Sequence, residues 1–187
     1  MLDLAQITKE LVAERRHCDK LETEADNTVI QAINQRDRDS ADRKKSLVDW
    51  LNRYKVFMGF SADSRISIAG EIIGFADERQ ERSLHRDKNR IISEFNLLKD
   101  RISAVAPRKR DGEQREVTSL ASKSLWICYP NDVPIFDRNA VTALGVISRL
   151  CHLAPEPDLQ EYVCFVDVWL RVYSEVEAVL DQADLSD

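Results

Sequence analysis

The chain has 187 residues, enough to bury about 70% of its unfolded surface without a metal or disulfide staple. Hydrophobic residues at 43% and charged residues at 32% exclude a disordered chain, while five Gly and five Pro are too few for a sandwich or barrel. The net charge of −6 is uneven: residues 151–187 hold nine acids against one base, Arg171, and the other 150 residues are close to balance.

From the N-terminus, Leu4, Ile7, Leu11, Cys18, Leu21 and Ala25 recur at helical spacings, and Val29, Ile30 and Ile33 extend the series. This predicts a long N-terminal helix with a narrow, heptad-like apolar stripe. The polar run QRDRDSADRKK breaks it. Ser40 or Asp42 is then expected to cap a second helix, with Leu47, Trp50, Leu51, Tyr54, Phe57 and Met58 on its stripe and Gly59 at its end. A third helix starts near Asp63 and buries Ile66, Ala69, Ile72, Ile73 and Ala76. Gly70 and Gly74 in its interior predict close approach of another backbone.

A fourth helix is expected over 83–105, with Leu84, Ile91, Ile92, Phe95, Leu98 and Ile102 inward. The segment APRKRDGEQRE, residues 106–116, is a loop carrying Arg108, Lys109 and Arg110. A short helix over 118–129 runs into Pro130-Asn131-Asp132-Val133-Pro134, which cannot be helical. Asp137 stands at an N-cap position before Arg138–Leu144. After Pro155 and Pro157, a last helix over 158–180 aligns Tyr162, Phe165, Val166, Trp169, Tyr173, Val176 and Leu180. The fold class that follows is all-α: a single compact multi-helix domain of six or seven helices. Residues 1–60 form the N-terminal helices, 61–150 the central ones and 151–187 an acidic C-terminal helix.

Cys18, Cys128, Cys151 and Cys164 form no CxxC pair, and His17 and His152 beside two of them lack zinc-site spacing. Buried free thiols are expected, with no metal and no cofactor. The first residues, MLDLAQITKELVAERR, are too charged for a signal peptide, and no run approaches 18 apolar residues. A cytoplasmic protein without membrane contact is expected. No GxxxxGK, GxGxxG, GxSxG or HExxH occurs, so P-loop hydrolysis, dinucleotide binding and the common hydrolase routes lack support.

Chemistry is best sought in residues 118–137, TSLASKSLWICYPNDVPIFD. Ser122-Lys123, an apolar helix and Val133-Pro134-Ile135-Phe136-Asp137 together resemble the core of the helix-hairpin-helix DNA glycosylases, especially the 8-oxoguanine type. The resemblance implies that Lys123 is the amine attacking a sugar C1′ and that Asp137 is the carboxylate stabilising the developing charge. It further implies that Ser119 and Ser122 lie toward the DNA, and that Trp126, Tyr129 or Phe136 offers a face to a flipped base. A lysine becomes a nucleophile in a desolvated or cationic setting. Arg108, Lys109 and Arg110, with Arg115, would then contact phosphates.

A plainer reading stands beside it. Asp137 is an N-cap, Lys123 a solvated lysine on an amphipathic helix, and Trp126 a core residue. On that reading the chain is a non-catalytic helical interaction module, meeting a protein partner or a second copy of itself through the Leu4–Ile33 helix.

Overall fold

The computed structural model describes residues 20–79, 83–150 and 158–184. Seven α-helices and no strand occur among them: α1 Lys20–Asn34, α2 Ser40–Arg53, α3 Ala62–Glu78, α4 Lys88–Val105, α5 Thr118–Cys128, α6 Arg138–Leu150 and α7 Tyr162–Asp184. The all-α expectation holds. The first part of the expected N-terminal helix, residues 4–19, lies outside the described residues, as do His17, Cys18, Cys151 and His152. No helix among the described residues is long and apolar enough to cross a membrane.

The starts of α2, α3 and α4 follow side-chain capping, with corrections to the sequence-based boundaries. Asp39, rather than Ser40 or Asp42, caps α2 by accepting the Ala41 N–H at 3.0 Å. Ser61 caps α3 through the Ser64 N–H, and Asp87 caps α4 through the Arg90 N–H at 2.9 Å. α4 therefore starts at Lys88, five residues later than expected, because His85 and Arg86 both take left-handed backbone angles (φ 53° and 52°) that no right-handed helix admits.

α2 ends at Arg53, well before Gly59. Lys55 turns left-handed (φ 56°), its N–H returning to Asn52 and the Val56 N–H to Leu51, a Schellman closure made without glycine. Gly59 is needed one turn later. Its φ is 78°, and a Cβ there would sit 3.3 Å from the Arg115 guanidinium, which lies 5.0 Å above the Phe60 ring. Gly70 and Gly74 mark no backbone contact. A Cβ at Gly70 would meet only the Lys44 side chain, and one at Gly74 would meet nothing within 4 Å.

Two compact units divide the chain, one spanning Thr23–Ile135 and the other including Phe136–Asp187. In the first, α2 packs on α3, α3 on α4 and α4 on α5. Leu47, Leu51, Phe57, Ile68, Ile72, Phe75, Ile91, Leu98, Ile102 and Leu125 fill its centre. Ile68 and Phe75 replace Ile66 and Ala76 of the expected α3 stripe. Ile66 is 52% exposed, and Met58, expected on the α2 stripe, is 73% exposed.

One buried cation ties three helices of this unit together. Arg43, 3% exposed, donates to Ala32 O and Ile33 O near the end of α1, and through both terminal nitrogens to the Asp77 carboxylate on α3. The α1 carbonyls that would otherwise lack partners are thus closed by a side chain from α2. In the second unit α6 packs on α7. Leu144, Leu159, Tyr162, Phe165, Val166, Val168 and Val172 are buried, and Phe136 meets Tyr162 and Phe165 edge-on at 5.7 and 5.1 Å.

Candidate functional site

Lys123 lies on α5, a helix in which every residue from Leu120 to Leu125 is buried, together with Ile127. The lysine itself is 4% exposed, so it is not the solvated lysine of the plainer reading. Its Nζ lies 3.5 Å from Ser119 Oγ, one helical turn earlier. Ser122 Oγ donates to Ser119 O, and the buried Ser124 Oγ has no hydrogen-bond partner among the described residues. Ser119, Lys123 and Trp126 follow one another at four and three residues, so they share one face of α5.

That face continues into an aromatic group that the sequence pattern does not reveal. Trp126 stacks on Trp50 of α2, with ring centroids 6.0 Å apart and planes 12° from parallel. Trp50 in turn lies 4.4 Å from Tyr54. Both donate to the same atom: Trp50 Nε1 reaches Asp26 Oδ1 at 2.7 Å and Tyr54 OH reaches it at 3.0 Å. A carboxylate on α1 therefore orients Trp50 on α2 and Tyr54 just past its end, and Trp50 supports a ring on α5. Asp26, Trp50 and Tyr54 belong in any account of the Lys123 face. The only sequence trace of them is the i, i+4 spacing of Trp50 and Tyr54.

Tyr129, expected to offer a face to a base, is instead buried at the end of α5, and burial pushes its phenol up to about 12. Burial likewise pushes the neighbouring Cys128 thiol up to about 12. Both line a cavity of about 20 Å³, room for one water, with Ile33, Asn34, Arg36, Ala76 and Arg79.

The acid of the resemblance stands in the other unit. Asp137 is half-buried, and its Oδ1 accepts the Ala140 N–H at 2.9 Å, which confirms it as the N-cap of α6. Phe136 is held by Tyr162 and Phe165. Lys123 and Asp137 thus belong to separate units.

The basic loop is exposed and makes several of its hydrogen bonds to itself. Arg108 Nη1 donates to Gly112 O, Lys109 pairs with Glu113 at 2.9 Å, and the Lys109 N–H meets Glu113 O at 2.8 Å. Arg110, at the tip, is exposed. No group of three or more His, Cys, Asp and Glu placed to hold a metal ion occurs among the described residues.

A second polar junction was not anticipated. Asp132, in the Pro-bounded turn after α5, is buried and accepts the Leu84 N–H at 2.7 Å, and Arg86 Nε donates to Asn131 O at 3.1 Å. The turn before α4 is thereby fastened to the turn after α5. Comparison of the chain with family models, with curated proteins and with solved structures returns no match.

Proposed function

We propose that this chain is a helical DNA-binding protein of helix-hairpin-helix glycosylase type, with Lys123 as its amine nucleophile. The observation that carries the reading is the burial of Lys123 on a face shared with Ser119 and Trp126. Lysine is almost never fully buried unless its charge is paired, since removing an ammonium from water is costly. Withdrawal from water is also what a nucleophilic lysine requires. In the proposed step the amine lone pair bonds to C1′ as the bond from C1′ to the base nitrogen breaks. The base leaves with that electron pair and takes up a proton. Ring opening then gives an imine. The rings about Trp126 offer a stacking surface to an unpaired base.

The test is borohydride trapping on duplexes carrying an abasic site or 8-oxoguanine. A covalent adduct with the wild-type protein, lost in Lys123→Gln, is expected. No adduct, or one that persists in Lys123→Gln, removes the enzymatic reading.

A second reading, a non-catalytic interaction module, draws on the α2–α3 surface. Exposed Ile66 lines a groove there with Val48 and the stems of Lys44 and Lys45. Sedimentation at micromolar concentration tests self-association, and a strict monomer removes the self-pairing form of that reading.

A further inference from the structure

The groove between α2 and α3 has a volume of about 630 Å³, within the range of sites that hold small organic molecules. Ala41 and Val48 of α2 and Ile66 of α3 supply its apolar lining. Ile66 is 52% exposed, although Ile68, two residues on, is wholly buried in the core. A lone exposed isoleucine is ordinary. Set in a concave site beside two lysine stems, it forms a bed on which an apolar ligand is sheltered from water.

The same groove carries positive charge. Ala41, Lys44, Lys45 and Val48 fall at i, i+3, i+4 and i+7, so one face of α2 presents both the apolar and the cationic groups. Lys44 reaches toward α3, where a Cβ at Gly70 would sit 3.5 Å from its Cε and 3.6 Å from its Nζ. Among the described residues no ion pair or hydrogen bond engages the ammonium of Lys44 or Lys45. Asp39, the acid that lines the groove, is turned to the backbone as the α2 N-cap and accepts the Ala41 N–H at 3.0 Å. Ser40 is exposed at the first position of α2, so the positive end of the helix dipole lies at this end of the groove.

We propose that the α2–α3 groove binds a small anionic amphiphile, a carboxylate carried on an unbranched alkyl chain. The carboxylate lies between Lys44 and Lys45, and the chain runs over Val48 and Ile66. From Ser40 to Val48 the groove follows α2 for about 12 Å, which an alkyl chain of moderate length fills. A partner helix sets several apolar anchors over two turns, and α3 offers it one side chain, Ile66. The site takes up the groove of the second reading above and needs neither chemistry at Lys123 nor self-pairing.

The experiment titrates the full chain with octanoate, octanol and octylammonium, read by calorimetry and by the isoleucine methyl signals in NMR. Octanoate should saturate one site with half-saturation at about 1 mM, shifting Ile66 and leaving the core residues Ile72 and Ile91 in place. The pair Lys44→Gln/Lys45→Gln should bind octanoate about fivefold more weakly and octanol as wild type does. Ile66→Asp should abolish binding of octanoate, and it serves as the second variant should the Gln pair unfold in circular dichroism melting. Octanoate that does not saturate, that binds the Gln pair as tightly as wild type, or that leaves Ile66 unshifted overturns the proposal. Octylammonium binding as tightly as octanoate overturns it as well. Sedimentation separates the remaining occupant. A dimer that Ile66→Asp dissolves, without octanoate binding, gives the groove to a second copy and overturns the proposal while leaving the interaction module standing. Lysine-dependent octanoate binding by a strict monomer upholds the proposal and removes self-pairing.

Discussion

Arg43 grips both carboxylate oxygens of Asp77, at 2.7 and 2.9 Å, while its other donors close the last turn of α1. The two residues are not equal partners. Arg43 is buried, whereas the Asp77 side chain is 37% exposed, so water reaches the acid and not the base. Removing Arg43 leaves Ala32 O and Ile33 O without their donor and breaks the α1–α2–α3 junction.

Arg43→Ala is therefore expected to lose about 3 kcal/mol, and Asp77→Ala about 2 kcal/mol, because water partly replaces the acid. Lysine should not rescue position 43, since a single ammonium cannot serve four acceptors arranged around a planar fork. Urea unfolding of both single variants and the double variant checks this. An Arg43→Ala protein within 1 kcal/mol of wild type would refute it.

The left-handed pair before α4 gives a prediction of opposite sign. Glycine reaches φ near +50° without the Cβ clash that His85 and Arg86 bear. His85→Gly is expected to stabilise the protein by about 1 kcal/mol, raising Tm by about 3 °C for a chain of this size. Arg86→Gly should gain less, since it also gives up the hydrogen bond to Asn131 O. A fall in Tm for His85→Gly would show that the imidazole itself supports the turn.

The same residues show where sequence reading stopped. Periodicity places all the helices within the described residues, and Asp137 before Arg138 marks the start of α6 because an N-cap is a local, single-residue signal. The start of α4 and the end of α2 were misplaced because His85, Arg86 and Lys55 adopt angles usually signalled by glycine. The position of Lys123 was legible but its burial was not, since a lysine on an amphipathic helix reads as solvated. Asp26 reaches rings 24 and 28 residues away, and Asp132 an N–H 48 residues away. No window of helical length contains such pairs.

Burial of Lys123 separates a functional from a structural amine by its effect on stability. If the lysine is kept for chemistry, an apolar chain of similar length should suit its site as well or better. Lys123→Met is expected to match wild-type stability or exceed it by about 1 kcal/mol while abolishing the borohydride adduct. A loss of more than 2 kcal/mol would mark the ammonium as part of the α5 packing, and the nucleophile assignment would lose its motive.

The last turn of α5 predicts a loss of stability in alkali. Burial raises the Cys128 thiol from an ordinary 9.0 to about 12 and the Tyr129 phenol from 10.0 to about 12, and it raises Tyr162 as well. Between pH 9 and 12 the unfolded chain releases these protons while the folded chain keeps them. The unfolded state then binds fewer protons, so stability falls as pH rises through that window and is fully retained below it. The midpoint of urea unfolding should drop steadily from pH 9 to 11. Cys128→Ala should reduce the steepness of that drop, even though its cavity lowers stability at pH 7. A midpoint that stays level across the window, or a Cys128→Ala slope equal to that of wild type, would show that the thiol sits within reach of water. The end of α5 would then not be closed as its burial indicates.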